Sequence, residues 1–292
     1  MCPLVIVGPT GAGKSDLALE VAERFGAEVV SMDAMQVYRG MDIGTAKLSL
    51  AERRGVPHHG IDVREPDEAF SAADFVALAE EAEAAARARG RPVVLCGGTT
   101  FYLQAWWVGL VPVPPVDPAL RAALAAEPEP HRLLAEVDPE LAARLHPNDL
   151  VRVLRGLEVH RLTGRPLSAL HREHAKDRRP CEIVWVDTPG LEERLDRRVE
   201  RMMAAGYLEE VRGLLARGFA RSLKPMLSLG YKHLAAHLAG ELPLDEAMER
   251  TKRDTRQLAR KQRMWLRGKG LAPGADAFEA ADRAFGRAVG PG

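Results

Sequence analysis

The residues Gly8-Pro9-Thr10-Gly11-Ala12-Gly13-Lys14-Ser15 carry the most legible chemistry of the chain. Their spacing is G-x-x-x-x-G-K-[ST], and they stand between an apolar run, Leu4–Val7, and an amphipathic segment, 16–25. The glycines allow consecutive backbone N–H groups to turn inward on phosphate oxygens, and the helix N-terminus adds partial positive charge beside them. Lys14 has the reach to touch a terminal phosphate, and the Ser15 hydroxyl is a ligand for Mg²⁺. This loop predicts a protein that binds a di- or triphosphate.

Two further points add chemistry. Asp33 opens the stretch 33–47, which holds Ala34, Met35, Gln36, Arg39 and Lys47. A carboxylate at a strand end near a phosphate cradle can hold Mg²⁺ through water or take a proton from an incoming nucleophile. It is also a common turn or capping residue. Arg39 and Lys47 add cations able to face phosphate, although exposed basic residues commonly do nothing specific. Gly97-Gly98-Thr99 offers a hydroxyl for the bridging or leaving oxygen of a diphosphate, with glycines that let a ligand approach. His58 and His59 lack metal-ligand spacing, and Trp106-Trp107 reads as packing rather than base stacking.

These residues must be positioned by alternating strands and helices. Strands are predicted at 27–31, at 92–96 and, after Pro180, at 183–187. Ser71 caps a helix running to Arg89, with Asp74 in the capping-box position and Gly90 as its stop. The pattern predicts an α/β fold, a P-loop NTPase-like parallel sheet flanked by helices, with ligands at the carboxyl ends of the strands. Gly13, Asp33 and Thr99 each lie just past such an end. Residues 1–111 form the first part of this core. Pro112, Pro114, Pro115 and Pro118 mark a boundary, and 112–180 reads as a helical insertion domain. Residues 181–272 complete the core with a helical C-terminal region, and the Ala/Gly-rich tail 273–292 reads as loosely held.

With 292 residues the chain can bury a sizeable core. Lys and Arg together balance Asp and Glu, 41 against 41, so charge distribution matters more than the sum. Between positions 249 and 269, nine cations face only Glu249 and Asp254; they include Arg256, Arg260, Lys261 and Arg263. Arg152, Arg155, Arg161, Arg165, Arg172, Arg178 and Arg179 form a second basic group in or beside the insertion. Two such segments in a neutral chain form a footprint for a polyanion. Cys2, Cys96 and Cys181 are scattered, which argues against a disulfide framework or zinc site and for a reducing cytoplasm. No apolar run reads as a signal peptide or membrane span.

Together these motifs resemble the tRNA dimethylallyltransferase (isopentenyl-tRNA transferase) family over nearly the whole chain. The likeness includes Gly8 to Ser15, Asp33 to Lys47, Gly97-Gly98-Thr99 and His146-Pro147-Asn148-Asp149. It continues through Thr163-Gly164-Arg165-Pro166, Gly230-Tyr231-Lys232 and Thr255 to Trp265. The resemblance implies transfer of a dimethylallyl group from dimethylallyl diphosphate to the exocyclic amine of the tRNA adenosine 3′ of the anticodon. It implies Asp33, Thr99 and Lys14 as catalytic residues, the loop Gly8 to Ser15 as diphosphate cradle, and Ser15 as ligand of an Mg²⁺ cofactor. For tRNA it implies Asp33, Ala34, Met35, Gln36, Thr99, Arg121, Arg152 and Arg155, with the basic C-terminal helix (Arg256, Arg260, Lys261, Arg263) helping to hold the stem. The protein is expected to act as a monomer in the cytoplasm. Ala34, Thr100 and His233 depart from the family's usual serine, glycine and glutamate. Alternatives are a P-loop small-molecule kinase, which leaves the basic helix unexplained, and an adenylate isopentenyltransferase, which has no use for two Arg-rich segments. The third, a non-catalytic RNA-binding protein, has no use for Lys14 and Asp33.

Overall fold

Short apolar runs without internal turn residues become the central strands, as they must where a sheet is covered on both faces. In the computed structural model, which describes residues 1–174 and 178–286, β1 (Leu4–Val7), β2 (Glu28–Ser31) and β4 (Val93–Gly97) are buried at every position. β3 (His58–His59) and β5 (Glu182–Trp185) complete a five-stranded, wholly parallel sheet in the order β3-β2-β4-β1-β5. Val5 lies beside Leu95, which lies beside Val30. The strands predicted at 27–31, 92–96 and 183–187 are therefore present with ends shifted by a residue or two. The two-residue β3 was not predicted. It pairs with β2, and His59 Nε2 meets the buried Glu28 carboxylate at 2.7 Å, a structural role for the histidine pair.

This strand order has a direct consequence for chemistry. β2, β4 and β1 are neighbours, so the loops after them, bearing Asp33, Thr99 and Lys14, emerge side by side at one edge of the sheet. α1 (Lys14–Phe25) follows the cradle, and α2 (Ala72–Ala88) begins at Ser71 with the predicted capping box, Ser71 and Asp74 satisfying each other's backbone N–H.

The described residues form two compact units, one of Met1–Trp106 with the chain from Arg179 onward, the other of Trp107–Arg178. The second unit includes α4 (Pro118–Ala125), α5 (Pro130–Val137), α6 (Pro139–Arg144), α7 (Leu150–Thr163) and α8 (Leu167–Glu173). The first three each carry proline in the first turn, where its missing N–H costs nothing. Leu124, Leu134, Leu141, Val153 and Leu157 form this unit's own core. α3 (Thr100–Val108) follows β4, and in the first unit α9 (Leu191–Ala204), α10 (Tyr207–Ala216), α11 (Tyr231–Leu238) and α12 (Leu244–Gly268) make the helical C-terminal region. Among the described residues no helix is long and apolar enough to cross a membrane.

The loose tail is corrected. Residues 277–285 form α13 (Ala277–Phe285), whose Ala277, Ala280, Ala281, Ala284 and Phe285 are buried in the core with Leu4, Ile6 and Val184. Phe285 meets Phe25 edge-on at 5.6 Å, and Asp276 caps the helix through the N–H groups of Phe278 and Glu279. Alanine on one face allows a helix to sit close on the sheet, a packing role that composition conceals. The rest of that tail, 287–292, lies outside the described residues.

Candidate active site

Lys14 begins α1, and its chain is buried while its ammonium donates to the Pro9 carbonyl at 2.8 Å. Burial lowers the ammonium below its ordinary value. Behind it, burial pushes the Cys96 thiol up to about 12, so at neutral pH it is an uncharged wall. Gly8 has φ of 152°, and a Cβ there would stand 2.1 Å from the Val186 carbonyl oxygen, so no side chain fits where the cradle begins.

Asp33 and Thr99 are tied together. The Thr99 N–H reaches the Met32 carbonyl at 3.3 Å, and the Thr99 hydroxyl accepts from the Ala34 N–H at 3.0 Å. With that acceptor position engaged, the hydroxyl still has its own proton to donate. One Asp33 carboxylate oxygen accepts from the Met35 N–H at 2.8 Å. Asp33 thus fills the turn role and also lines both cavities of the site.

Two cavities meet at these residues, one of about 770 Å³ and one of about 820 Å³. Lys14, Asp33, Gly98 and Arg198 line both. The first opens between Thr99, Phe101, Lys232, Leu258, Lys261 and Trp265, so that with Lys14 three lysines line a recess that also has apolar walls. The second holds Gly11, Gly13, Ser15 and Asp16 of the cradle, apolar Ile43, Leu48 and Leu50, and the guanidinium groups of Arg194, Arg198 and Arg201. Those arginines share one face of α9 by their i, i+4, i+7 spacing, and none has an ion pair among the described residues. Burial lowers Arg198, the pull of Asp33 opposing it. The sequence reading missed this set, although the arginine spacing over 191–204, interleaved with Leu191, Leu195 and Val199, was a readable signal.

The block 33–47 is held from outside. Glu210 on α10 accepts from the N–H groups of Asp42 (2.8 Å), Ile43 (2.6 Å) and Gly44 (3.1 Å), and from the Tyr231 hydroxyl at 2.6 Å. Lys47 lines the second cavity, but its ammonium is engaged by the Tyr38 carbonyl and the carboxylates of Asp42 and Asp62. Arg39 pairs with Glu65. The Gln36 side chain is engaged by Ser31 and Thr45 and lines the second cavity, whereas Ala34 and Met35 line the first.

The expected RNA-contacting arginines are not free cations. On α12, Arg256 pairs with Asp196, Arg260 with Glu192 and Arg263 with Asp187. Arg250, Lys252 and Arg253 also have carboxylate partners, while Lys261 points into the first cavity without one among the described residues. In the second unit the fully buried Glu158 carboxylate takes Arg121 at 3.0 Å and Arg155 at 2.6 Å, and Arg152 pairs with Asp149. Trp106 and Trp107 are buried, as packing residues should be.

A P-loop α/β core whose phosphate cradle opens through a carboxylate-lined junction onto a second, acceptor-sized recess is the architecture of a group-transfer enzyme. A family model for IPP transferases matches residues 36–269, and the chain belongs to that family. The tRNA dimethylallyltransferase of Geobacter metallireducens is 50% identical over 274 residues, covering 90% of this chain and 89% of that one. That of Syntrophobacter fumaroxidans is 45% identical, covering 96% and 84%. Among solved structures, the tRNA delta(2)-isopentenylpyrophosphate transferase of Staphylococcus epidermidis matches with a TM-score of 0.69 at 31% identity, over 96% of both chains. A eukaryotic dimethylallyltransferase acting on tRNA matches with a TM-score of 0.79 at 30% identity, over 91% of this chain and 70% of that one. The relatives are prenyltransferases that modify tRNA.

Proposed function

We propose that this protein transfers the dimethylallyl group of dimethylallyl diphosphate to the exocyclic amine of the tRNA adenosine 3′ of the anticodon. The observation that carries this reading is the meeting of two cavities at Lys14, Asp33 and Gly98. The second cavity suits the donor: backbone N–H groups and three α9 guanidiniums for the diphosphate, and Ile43, Leu48 and Leu50 for the isoprenoid. The first suits a base taken out of the anticodon loop, with Phe101, Leu258 and Trp265 as apolar walls and Lys261 as a cation for phosphate; the Lys232 ammonium is paired with Asp254.

In the reaction the adenine nitrogen attacks the allylic carbon, the carbon–oxygen bond to diphosphate breaks, and the amine proton passes to Asp33. Adenine's amine is a weak nucleophile because its lone pair is delocalised, so Asp33 also serves to orient it. Lys14, Arg198 and the Thr99 hydroxyl meet the charge growing on the leaving group. An allylic carbon tolerates a loose transition state, so positioning supplies much of the acceleration. Ser15, Asp16 and Asp33 offer hard oxygen donors beside the cradle without a cluster of three metal-binding side chains among the described residues. That donor set fits Mg²⁺ held jointly by protein and substrate phosphate, where it would neutralise diphosphate charge.

The test is label transfer from dimethylallyl diphosphate to unmodified tRNA, to AMP and to no acceptor in parallel, with ATP consumption followed separately. Label on tRNA alone is expected. Asp33→Asn should abolish turnover, on the order of a thousandfold or more, with tRNA affinity within a few fold. Equal transfer to AMP, or ATP consumption without prenyl transfer, would overturn the reading.

A further inference from the structure

One side chain joins the two loops that must grip the diphosphate, and it comes from neither. Gln262 of α12 accepts a hydrogen bond from the Thr10 N–H at 2.9 Å through Oε1, and donates one to the Gly98 carbonyl at 2.7 Å through Nε2. It is buried, 7% exposed, and it lines the first cavity together with its neighbours Leu258, Lys261 and Trp265. Thr10 belongs to the cradle after β1, and Gly98 precedes Thr99 after β4. The side chain therefore sets the gap between cradle and hydroxyl, and it ties that gap to the helix that carries the cationic residues.

We propose that Gln262 is a positioning residue for prenyl transfer, holding the phosphate cradle and the Thr99 turn at the separation a diphosphate spans. The proposal rests on the prenyl-transfer reading above for its substrate, but its geometry is independent of it. The chemistry demands a long amide. The site must accept from an N–H and donate to a carbonyl about one side-chain width apart. Glutamate at neutral pH would set an oxygen against the Gly98 oxygen, and methionine would leave both backbone groups unsatisfied. Gly98 is matched to it: a Cβ there would stand 2.6 Å from Gln262 Nε2, so any side chain would displace the amide.

The pair offers a test that a merely structural role would not pass. In the full-length protein, Gln262→Met is expected to raise KM for dimethylallyl diphosphate roughly tenfold and lower kcat by a similar factor, together roughly a hundredfold in kcat/KM and the equivalent of the two hydrogen bonds lost. The tRNA affinity should stay within twofold. Gln262→Glu should be at least as poor, because the missing donor is not restored. Gly98→Ala reaches the same displacement without altering α12, and so keeps the test open should the Gln262 variants fail to fold. In the double variant Gln262→Met, Gly98→Ala, the losses should not multiply. Calorimetry with inorganic pyrophosphate, a readout that needs no turnover, should give a roughly tenfold weaker affinity in both single variants. Wild-type pyrophosphate affinity in Gln262→Met, or fully multiplicative losses in the double variant, would overturn the proposal. Absence of label transfer to tRNA by the wild type would overturn the prenyl-transfer reading instead, while the pyrophosphate result would still decide the role of Gln262.

Discussion

Glu210 makes a quantitative claim about how the block 33–47 is held. Its two carboxylate oxygens divide four donors evenly: Oε2 takes the N–H groups of Asp42 and Ile43, and Oε1 takes the Gly44 N–H and the Tyr231 hydroxyl. At about 1 kcal/mol net for each bond on a half-buried group, Glu210→Ala should cost about 4 kcal/mol. Glu210→Gln keeps one acceptor oxygen in either amide orientation, so it should cost about half, near 2 kcal/mol. Because the block is a surface segment, part of this loss will appear as local opening before global unfolding. Urea unfolding measures the global share, and amide hydrogen exchange at Asp42, Ile43 and Gly44 measures the local one. Gly44 and Thr45 line the first cavity and Ile43 and Thr45 the second, so KM should rise for both substrates. A Glu210→Ala protein with wild-type exchange at these three amides and an unchanged urea midpoint would refute the reasoning.

Two further outcomes are expected. The Arg89 guanidinium, with His59, holds the buried Glu28 carboxyl at about 2, against an ordinary 4.5. A depressed carboxylate contributes stability above its unfolded value and loses it as pH falls through the folded one. The ion is therefore worth about 3 kcal/mol at pH 7, and about 2 kcal/mol of that should be gone by pH 3. Urea titrations should show this acid-dependent loss in the wild type and its absence in Glu28→Gln; identical pH slopes would refute it. At the basic helix, Glu192→Gln with Asp196→Asn should release Arg260 and Arg256 and tighten tRNA binding, with each new phosphate contact steepening the salt dependence by roughly 0.7–0.9 in log–log slope. Unchanged affinity and slope in filter binding would mean that α12 does not meet RNA there.

What the sequence discloses is what local physics decides. The cradle Gly8 to Ser15 and the Ser71–Asp74 capping box are complete within a few residues, so spacing alone reveals them. β1, β2 and β4 are legible because burial on both faces leaves only apolar residues. β3 is not, since two histidines become a strand only by pairing with β2. The tail was misread because Ala280, Ala281 and Ala284 announce low complexity in composition but close packing in space. Gln262 meets Thr10 across 252 positions, and Glu210 meets Ile43 across 167, so their roles arise only once the fold has brought them together. The paired state of Arg256, Arg260 and Arg263 is similarly invisible, because Asp196, Glu192 and Asp187 lie far away in the chain.

That pairing bears on how a chain of zero net charge handles two anionic substrates. On α12, Arg256 and Arg260 are matched to carboxylates in pairs at or near the surface, each worth less than about 1 kcal/mol and open to exchange for RNA phosphate. Lys14 and Arg198 are different. They are desolvated, they have no carboxylate ion pair among the described residues, and their ordinary values are depressed by burial. An anion arriving there regains what burial costs these groups, whereas at α12 it must first displace a partner. On the proposed function, diphosphate recognition would be concentrated in a few unpaired cations that stand ready for a small ligand. RNA recognition would instead be spread over a paired surface that yields contacts one by one. The first arrangement favours tight, salt-resistant binding of a compact charge, and the second favours reversible, salt-sensitive docking of a long one. The protein needs both at one junction, and Gln262, rooted in α12 and bonded to the cradle, is where the two meet.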